Sequence, residues 1–358
     1  MQVKNVLVIS YVPPYNRQGY DFGECLRRNG YRVLLFQMDG ITDAENGIIG
    51  VKCIKPHGFL HLIHMLRNFL VFFFKTVFVG KDIVVCIGRP MLVLGGIYNL
   101  LCRSKLIWYS LEYTNLGLID KFIYKKCVSG YVDVEVNRMK KVFNQNGEKR
   151  NALVCHNMPP LHELPPKGGA LRKYLKENRR EIADKRLVIY AGSYQKYVCI
   201  ETIINASRRF DEDTRLIVMS YGLPEEIQSL SPKCIVVPPV KGDGFYDWLA
   251  DADCALLPYE DDADFNVRNC SPQKLFDCYV VGVPYVASDR PIIREVLGAY
   301  PLCGQICNFT DTNDIMQKIK MVISVKSDVT GKMYRLHAEE FNYNKMSDRL
   351  RSMVDAMC

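Results

Sequence analysis

Short, nearly continuous apolar runs alternate with amphipathic segments along most of the chain. Such runs are typical of parallel strands whose two faces are both covered by helices. The first half contains five of them: VLVIS, YRVLLFQ, DIVVCIG, KLIWYSL and NALVCHN. Five more follow residue 186: RLVIYAG, TRLIVMS, CIVVPPV, ADCALLPY and VPYVASD. The pattern predicts two α/β units in tandem, each built on a parallel sheet.

A segment rich in Pro, Gly and charged residues separates the two series of runs and predicts a linker. The expected bounds are 1–158 for the first unit, 159–185 for the linker and 186–340 for the second unit. A chain of 358 residues, 48% of them hydrophobic, can bury two cores of this size.

The charge of the chain is unevenly distributed. Residues 1–150 carry 21 Lys and Arg against 11 Asp and Glu, a net charge of +10, and the remaining residues carry −2. This balance favours an anionic partner for the first unit, although a merely solvated basic face would give the same composition. No recognised nucleic-acid motif accompanies the charge, so no nucleic acid is expected to bind.

Cysteine usage and the N-terminus indicate a cytoplasmic protein without a metal site. The 14 cysteines lie scattered in apolar runs and form no C-x2-C pair, which predicts small buried side chains in a reducing compartment. The first residues lead directly into a strand, without the pattern of a secretory signal. No Asp-x-Asp pair follows an apolar strand, which disfavours metal-dependent chemistry.

The most informative stretch is NCSPQKLFDCYVVGVPYVASD, residues 269–289. A helix is predicted to open near Ser271 and Pro272 and to end at Gly282. A short buried strand follows at Tyr285–Ala287. The first turn of a helix presents unpaired N–H groups and partial positive charge, so its opening residues are candidates for binding an anion. An ordinary helix cap is the alternative, because Ser-Pro followed by Lys is a common helix start.

This stretch resembles the C-terminal domain of glycosyltransferase family 4-like enzymes, in the subgroup whose motif reads Ser-Pro-x-Lys-Leu-Phe-Glu. The match runs from Ser271 to Ser288 and continues with DRPIIREVL, and VIYAGSYQK, LIVMSYG and ADCALLPY resemble the family upstream. The first half is similar more loosely, through VISYVPPYNRQG and DVEVNRMKKVF. The resemblance implies the GT-B fold, an α/β architecture of two Rossmann-like domains facing each other across a cleft. Residues 341–358 resemble the family's last helix, which is expected to pack back towards the first domain.

The resemblance also implies an activity. The enzyme would transfer a sugar, of the hexose type, from a nucleotide-sugar donor to a glycan or lipid-linked acceptor in surface polysaccharide or glycoconjugate assembly. Retention of anomeric configuration without a metal is implied as well. The donor would bind the second unit and the acceptor the first. The sequence leaves the base open, with UDP or GDP expected first, and no separate cofactor is expected.

Five residues of the second unit are implied at the donor. Lys274 is expected to stabilise the leaving diphosphate, and Asp277 to accept hydrogen bonds from the ribose. Gly192 and Lys196 lie in the loop after the strand RLVIYA, where the family binds phosphate. A solvated lysine is the alternative for Lys196. The family has an acidic pair of the form E-x7-E, whose two positions are Asn269 and Asp277 here. Asn269 replaces the first carboxylate, so the group expected near the donor sugar can form hydrogen bonds but carries no charge.

Two residues of the first unit are candidates as well. Gly19, in PPYNRQGY, stands where the family has a glycine-rich loop close to the diphosphate, and a tight turn would explain it equally well. Glu112 follows the strand KLIWYS and is the candidate for acceptor-side chemistry.

Residues 58–80 form a strongly apolar segment interrupted by Arg67 and Lys75. The uninterrupted run is too short for a membrane-spanning helix. Two interpretations stay open: a helix buried on the sheet, or an amphipathic helix that touches the inner face of the cytoplasmic membrane.

Two other functions remain open. A catalytically silent GT-B subunit that supports a partner enzyme is compatible with the uncharged Asn269. A nucleotide-sugar epimerase of the same fold would require acid/base carboxylates or histidines deep in the cleft, where His is scarce.

Overall fold

The structure is a computed structural model that describes residues 4–10, 17–38, 48–51, 61–178, 184–240, 242–260 and 264–357. The chain divides into two compact units. The first consists of Met1–His156 together with Tyr343–Cys358, and the second of Asn157–Asn342.

Helices and strands alternate through both units. Up to residue 156 the elements are β1 (Asn5–Ser10), α1 (Arg17–Arg28), β2 (Arg32–Met38), β3 (Ile48–Val51), α2 (His61–Thr76), β4 (Ile83–Ile87), a 3-10 helix (Arg89–Met91), α3 (Leu92–Cys102), β5 (Lys105–Ser110), α4 (Leu118–Lys126), β6 (Val128–Asp133), α5 (Val136–Asn146) and β7 (Asn151–Val154). The later elements are α6 (Ala170–Asn178), β8 (Arg186–Ala191), α7 (Ile200–Ser207), β9 (Thr214–Met219), α8 (Glu225–Gln228), β10 (Cys234–Val237), α9 (Asp243–Leu249), β11 (Cys254–Leu257), α10 (Phe265–Arg268), α11 (Gln273–Val281), β12 (Tyr285–Ala287), α12 (Pro291–Ala299), β13 (Gly304–Ile306), α13 (Thr312–Ser324), α14 (Lys326–Glu339) and α15 (Tyr343–Met357).

Each unit is built on one parallel sheet. The described strands of the first unit have the order β3-β2-β1-β4-β5-β6-β7, and those of the second have the order β10-β9-β8-β11-β12-β13. Both orders are doubly wound: the chain starts near the middle, moves to one edge, and returns to build the other half. The central strands β1, β4 and β5 are buried almost throughout, as expected for strands covered on both faces.

The second unit begins earlier than its predicted bound. Within the predicted linker the structure places α6, which packs on α9 through the rings of Tyr174 and Trp248, 5.0 Å apart. The backbone N–H groups of Gly169 and Arg172 donate to the Asp251 carboxylate at 2.6 and 3.0 Å. The high content of Pro, Gly and charge in this segment concealed a short amphipathic helix.

The last helix, α15, belongs to the first unit and packs against α1, β6 and β7. A methyl group on Gly130 of β6 would lie 2.8 Å from the sulfur of Met357, so the helix lies very close to the sheet. The Tyr31 hydroxyl donates to the Asp355 carboxylate, and the Cys25 thiol donates to the Ser347 carbonyl at 3.3 Å. These contacts fix α15 along its length.

Helix α3 approaches the sheet closely because two of its residues are glycines. A Cβ on Gly95 would lie 2.2 Å from the Cys86 sulfur and 2.6 Å from a methyl of Leu106. A Cβ on Gly96 would lie 2.7 Å from Ile123 of α4. No real Cβ reaches such distances, so only residues without a side chain allow α3 to contact both the sheet and α4.

Replacing Gly95 by Ala is therefore expected to lower the free energy of unfolding of the first unit by about 1–3 kcal/mol, because Cys86 and Leu106 must move to admit the methyl group. The matched control is Gly23→Ala in α1, where the added Cβ would meet only Val33 at 3.5 Å. That change is expected to be neutral or to stabilise by up to about 1 kcal/mol.

Urea unfolding followed by tryptophan fluorescence can measure both effects. The chain has two tryptophans, and only Trp108 lies in the first unit, so a Trp248→Phe background restricts the signal to that unit. Equal stability of the two glycine variants would contradict the close packing of α3.

Candidate functional site

The candidate site of the second unit lies at the carboxyl ends of β8 and β11. The strand order of the sheet reverses between these two neighbours. Loops that leave the two strands therefore diverge, and a crevice for a ligand opens between them. Gly192 follows the end of β8, and α11 begins with Gln273 a few residues after the short helix α10.

Lys274 supplies the positive charge of this site. Its Nζ donates to the Tyr190 hydroxyl at 3.3 Å and lies 4.6 Å from the centroid of the same ring. The Tyr259 ring is 5.9 Å away. Among the described residues, no carboxylate forms an ion pair with this ammonium group. Burial lowers the pKa of Lys274 to about 8, although the nearby charge of Asp277 acts in the opposite direction. Lys274 is thus a partly buried cation that forms no ion pair with a carboxylate in the described part of the chain.

Gly192 provides the space that the ammonium group occupies. A Cβ at this position would lie 2.1 Å from the Nζ and 2.5 Å from the Cε of Lys274, and 3.0 Å from the Tyr190 hydroxyl. The side chain of any other residue at this position would overlap with the end of the Lys274 side chain. The structure thus brings together two residues, Gly192 and Lys274, that the sequence predicted from separate motifs.

The first turn of α11 carries no side-chain cap. Pro272 occupies the N-cap position, and no described side chain accepts a hydrogen bond from the backbone N–H groups that follow it. Ser271, which would be the ordinary cap of such a helix, makes other contacts. Its hydroxyl accepts from the backbone N–H of Asn157 at 3.2 Å, and its carbonyl accepts from the Asn157 side chain at 2.8 Å. The helix start therefore offers N–H groups and partial positive charge beside Lys274.

Asp277 lies one turn further along α11 and is buried. Its Oδ1 accepts a hydrogen bond from the Tyr246 hydroxyl of α9 at 2.9 Å. The Tyr246 ring packs edge-on against the His162 ring, with 4.6 Å between centroids. The backbone N–H of His162 donates to Nε2 of His337 at 3.1 Å, and burial lowers the pKa of His337 to about 4, which keeps this ring neutral. A connected set of side chains thus holds the carboxylate in place.

Asn269 has a structural role that an acid could not fill. Its side-chain nitrogen donates to the Phe265 carbonyl at 2.9 Å, which closes the short helix α10. A carboxylate here would place negative charge against a carbonyl oxygen instead. The uncharged residue at this position is therefore matched by a local hydrogen bond.

Sequence reasoning did not single out three residues that shape the site. Tyr190 and Tyr259 supply the rings that face Lys274. Arg290 is buried, its guanidinium carbon lies 5.8 Å from the Tyr259 centroid, and it donates to the Glu260 carbonyl. One feature of the sequence could have pointed to the two tyrosines: each ends an apolar run next to a turn, Tyr190 in VIYAG and Tyr259 in LLPY.

The remaining predicted residues lie apart from this cluster. Lys196 is exposed in the turn after Gly192 and has no hydrogen bond or ion pair with a described residue. Glu112 belongs to the first unit, where its exposed side chain follows β5 and its carbonyl accepts from the Ser110 hydroxyl at 3.0 Å.

Gly19 is not in a loop or tight turn, as the sequence suggested, because α1 already begins at Arg17. The buried residues Phe22, Cys25 and Leu26 continue one helical face from there. The segment 11–16 lies outside the described residues. In the described parts of the chain, no group of three or more His, Cys, Asp or Glu residues could hold a metal ion.

Comparison with known proteins identifies the fold. No family model and no curated protein matches the chain. Among solved structures, sucrose-phosphate synthase from Thermosynechococcus elongatus aligns with a TM-score of 0.73 at 13% identity, over 99% of both chains. HepE from Anabaena in complex with UDP-glucose aligns with a TM-score of 0.71 at 11% identity, over 99% of this chain and 100% of that one. A putative UDP-N-acetylglucosamine 2-epimerase from Listeria monocytogenes aligns with a TM-score of 0.57 at 10% identity, over 100% and 98%.

The chain has the GT-B fold, and the predicted fold class is confirmed. At identities of 10–13% these similarities establish architecture.

Lys274→Met is expected to stabilise the ligand-free protein near pH 7, because an apolar side chain of similar length need not be desolvated. The pKa of Lys274 is about 8 in the folded protein and 10.5 ordinarily. Below pH 8 the lysine is therefore charged in both the folded and the unfolded state, and the desolvation cost is present in full. As the pH rises through 8 the folded protein releases the proton, and the cost shrinks.

The stability difference between Lys274→Met and the unaltered protein is therefore expected to be largest near pH 7 and smaller near pH 9. Urea unfolding at both pH values measures it. Lys196→Met, which changes an exposed lysine of the neighbouring turn, is the control and is expected to show no such trend. A pH-independent difference at Lys274 would contradict its burial as a cation.

Proposed function

We propose that the protein is a glycosyltransferase that moves a sugar from a nucleotide-sugar donor to a glycan or lipid-linked acceptor. The observation that carries this proposal is the ammonium group of Lys274, which has no close carboxylate among the described residues and lies at the uncapped start of α11. A nucleoside diphosphate has the charge and the oxygen acceptors that such a site lacks. The strand order also favours a nucleotide at this edge of the sheet.

We assign donor binding to the second unit. The diphosphate would accept hydrogen bonds from the first turn of α11 and from Lys274, and Lys196 would approach it from the turn after Gly192. Asp277, whose Oδ1 accepts a hydrogen bond from the Tyr246 hydroxyl, would meet the ribose hydroxyls. UDP is the first nucleotide to test, because HepE was solved with UDP-glucose.

In the proposed sugar transfer, negative charge develops on the leaving diphosphate. The bond between the anomeric carbon and the phosphate oxygen breaks, a bond from that carbon to the acceptor oxygen forms, and the acceptor proton passes to the leaving phosphate. Negative charge grows on the diphosphate during this step, and a preorganised cation in a poorly hydrated site stabilises it. Lys274 is charged at neutral pH, since its pKa is about 8. Retention, independence from metals, a role of Glu112 on the acceptor side, and a place in surface polysaccharide assembly are further parts of the proposal.

Nucleotide binding is the first test. Thermal shifts against UDP-, GDP-, ADP- and CMP-sugars are expected to reveal stabilisation by one nucleotide class. Lys274→Ala is expected to weaken that binding by about 1–3 kcal/mol, because a charge-assisted hydrogen bond is lost. Lys173→Ala, on the exposed side of α6, is the matched control and should bind as the unaltered protein does. Absence of a shift with every nucleotide would refute the transferase proposal.

Nucleotide affinity is also expected to fall as the pH rises through about 8, because Lys274 then loses its proton. Lys274→Arg keeps a charge at every accessible pH and should bind without this fall. Isothermal titration calorimetry between about pH 7 and pH 9 can compare the two proteins. An identical decline in both would assign the pH dependence to another group.

Two alternatives are distinguished by products. An epimerase, as the Listeria neighbour is named, would convert the nucleotide-sugar itself, which proton NMR of the donor detects without any acceptor. A catalytically silent subunit would give neither an epimer nor a transfer product, with or without bound nucleotide. Release of free nucleoside diphosphate only in the presence of an acceptor supports the transferase.

A further inference from the structure

Helix α2 presents a continuous apolar face that no other described element covers. Its exposed positions are spaced three or four residues apart and therefore lie on one side of the helix. They expose between 41% and 65% of their surface: Ile63, Leu66, Leu70 and Phe74. Phe78, just after the helix, is 91% exposed. The opposite side, with Asn68, Phe72 and Thr76, is buried.

Two neighbouring helices extend this surface. The exposed apolar residues there are Leu100 and Leu101 at the end of α3 and Leu118, Ile119 and Phe122 on α4. The Phe73 and Tyr98 rings stack 6.0 Å apart and join α2 to α3, and Gly96 brings α3 against Ile123 of α4. The three helices thus form one surface, which we call the α2–α4 face and define by these ten exposed side chains. Single exposed leucines are common, but ten large apolar side chains exposed on three adjacent helices are unusual for a surface that faces only water.

The apolar residues of α4 are rigidly held. The Arg89 side chain donates to the Asp120 carboxylate at 2.8 Å, and the backbone N–H of Gly117 donates to the same oxygen at 3.2 Å. This carboxylate fixes the first turn of α4, from which Leu118 and Ile119 project. Their exposure is therefore a property of an anchored helix.

Basic residues are interspersed with the apolar ones. Residues 61–126 contain nine Lys and Arg against three Asp and Glu, and one of these acids, Asp120, is paired with Arg89. Eight of the basic side chains are exposed: Arg67, Lys75, Arg89, Arg103, Lys105, Lys121, Lys125 and Lys126. We propose that the α2–α4 face docks on the surface of a lipid bilayer that contains anionic headgroups, with the apolar side chains inserted and the basic ones paired with lipid phosphate.

The same composition disfavours other occupants. A second copy of the chain docking by this face would bring two strongly basic surfaces together. The centre of a protein interface is usually depleted in lysine, whereas here Lys121, Lys125 and Lys126 adjoin the apolar residues of α4. In the described part of the chain, no helix combines the length and apolar character needed to cross a bilayer. The 16 residues of α2 would extend only about 24 Å, so the helix would lie along the membrane surface.

This inference goes beyond the proposed function and does not depend on it. The sequence left a membrane contact open for residues 58–80 alone, beside a helix buried on the sheet, and 58–60 lie outside the described residues. The structure adds α4 and the end of α3. Because α4 begins shortly after the carboxyl end of β5, the face borders the edge of the sheet that carries Glu112. An acceptor held on a lipid would meet the first unit there.

Vesicle flotation of the full chain tests the proposal. Vesicles of phosphatidylcholine with about 30 mol% phosphatidylglycerol are expected to bind the protein more strongly than phosphatidylcholine alone, and added salt should weaken binding. Leu66→Ser with Phe74→Ser on α2, and Leu118→Ser with Phe122→Ser on α4, should each lower the partition coefficient about tenfold or more. Leu164→Ser with Leu302→Ser, two exposed leucines of the second unit, is the control and should leave it unchanged.

Charge is tested separately. Lys121→Glu with Lys125→Glu should abolish the preference for anionic vesicles, whereas Lys173→Glu with Lys176→Glu, on α6 of the second unit, should preserve it. Absence of vesicle binding, or unchanged binding of the α4 variants, would overturn the proposal. A dimer in light scattering that dissociates in the α2 and α4 variants would overturn it as well, because the face would then join two copies.

The nucleotide thermal shift gives an independent readout in every variant. Vesicle binding that persists in a protein without any nucleotide shift would refute the proposed function and leave this inference intact. Loss of vesicle binding with the nucleotide shift retained shows that the variants are folded.

Discussion

The candidate site depends on one constraint, the burial of the Lys274 ammonium group against two tyrosine rings without a close carboxylate among the described residues. Interaction with Tyr190 offsets part of the cost of desolvating the ammonium group, and burial still lowers the pKa of Lys274. Other features of this site accommodate that charge. Gly192 leaves space for the ammonium group, the Ser271 hydroxyl contacts Asn157 and not the helix it precedes, and the Tyr246 hydroxyl donates to Asp277.

The arrangement is an example of preorganisation. A partly dehydrated cation interacts more strongly with an incoming anion than a fully hydrated one does, and it needs little rearrangement when charge develops. The structure maintains this state because the large buried core around α11 and the parallel strands is stable enough to support one unfavourable group. The α2–α4 face of the first unit differs from this site, since its apolar and basic side chains are exposed to water.

The fold was largely predictable from the sequence. Apolar runs of five or six residues separated by amphipathic segments specify parallel α/β units, and the motif at 269–289 predicted both the end of α11 at Gly282 and the strand Tyr285–Ala287. Strands β3, β6 and β13 and helix α6 were not among the predicted elements. Strands of three or four residues, a strand interrupted by Ser and Gly, and a helix inside a Pro- and Gly-rich segment give little periodic signal.

The site was only partly predictable. Lys274 and Gly192 were found through separate motifs, but nothing in the sequence indicates that the lysine side chain ends directly against the glycine. Tyr190 and Tyr259 could not be told from ordinary core aromatics, since both end apolar runs. The partner of Ser271 lies at residue 157, more than 100 positions away, and no local pattern reports such a contact. All of these contacts depend on which residues the fold brings together, and neither residue propensity nor sequence spacing encodes that.

The close approach of Gly192 to Lys274 also determines how this part of the molecule would respond to engineering. Procedures that rank substitutions by folding stability would favour replacing a desolvated lysine with an aliphatic residue, and Gly192 would still leave room for it. Such a change would pass a screen for expression or heat resistance while removing the charged group. Tolerance to mutation at Lys274 therefore does not measure functional importance, which only a screen that reads out ligand binding would reveal.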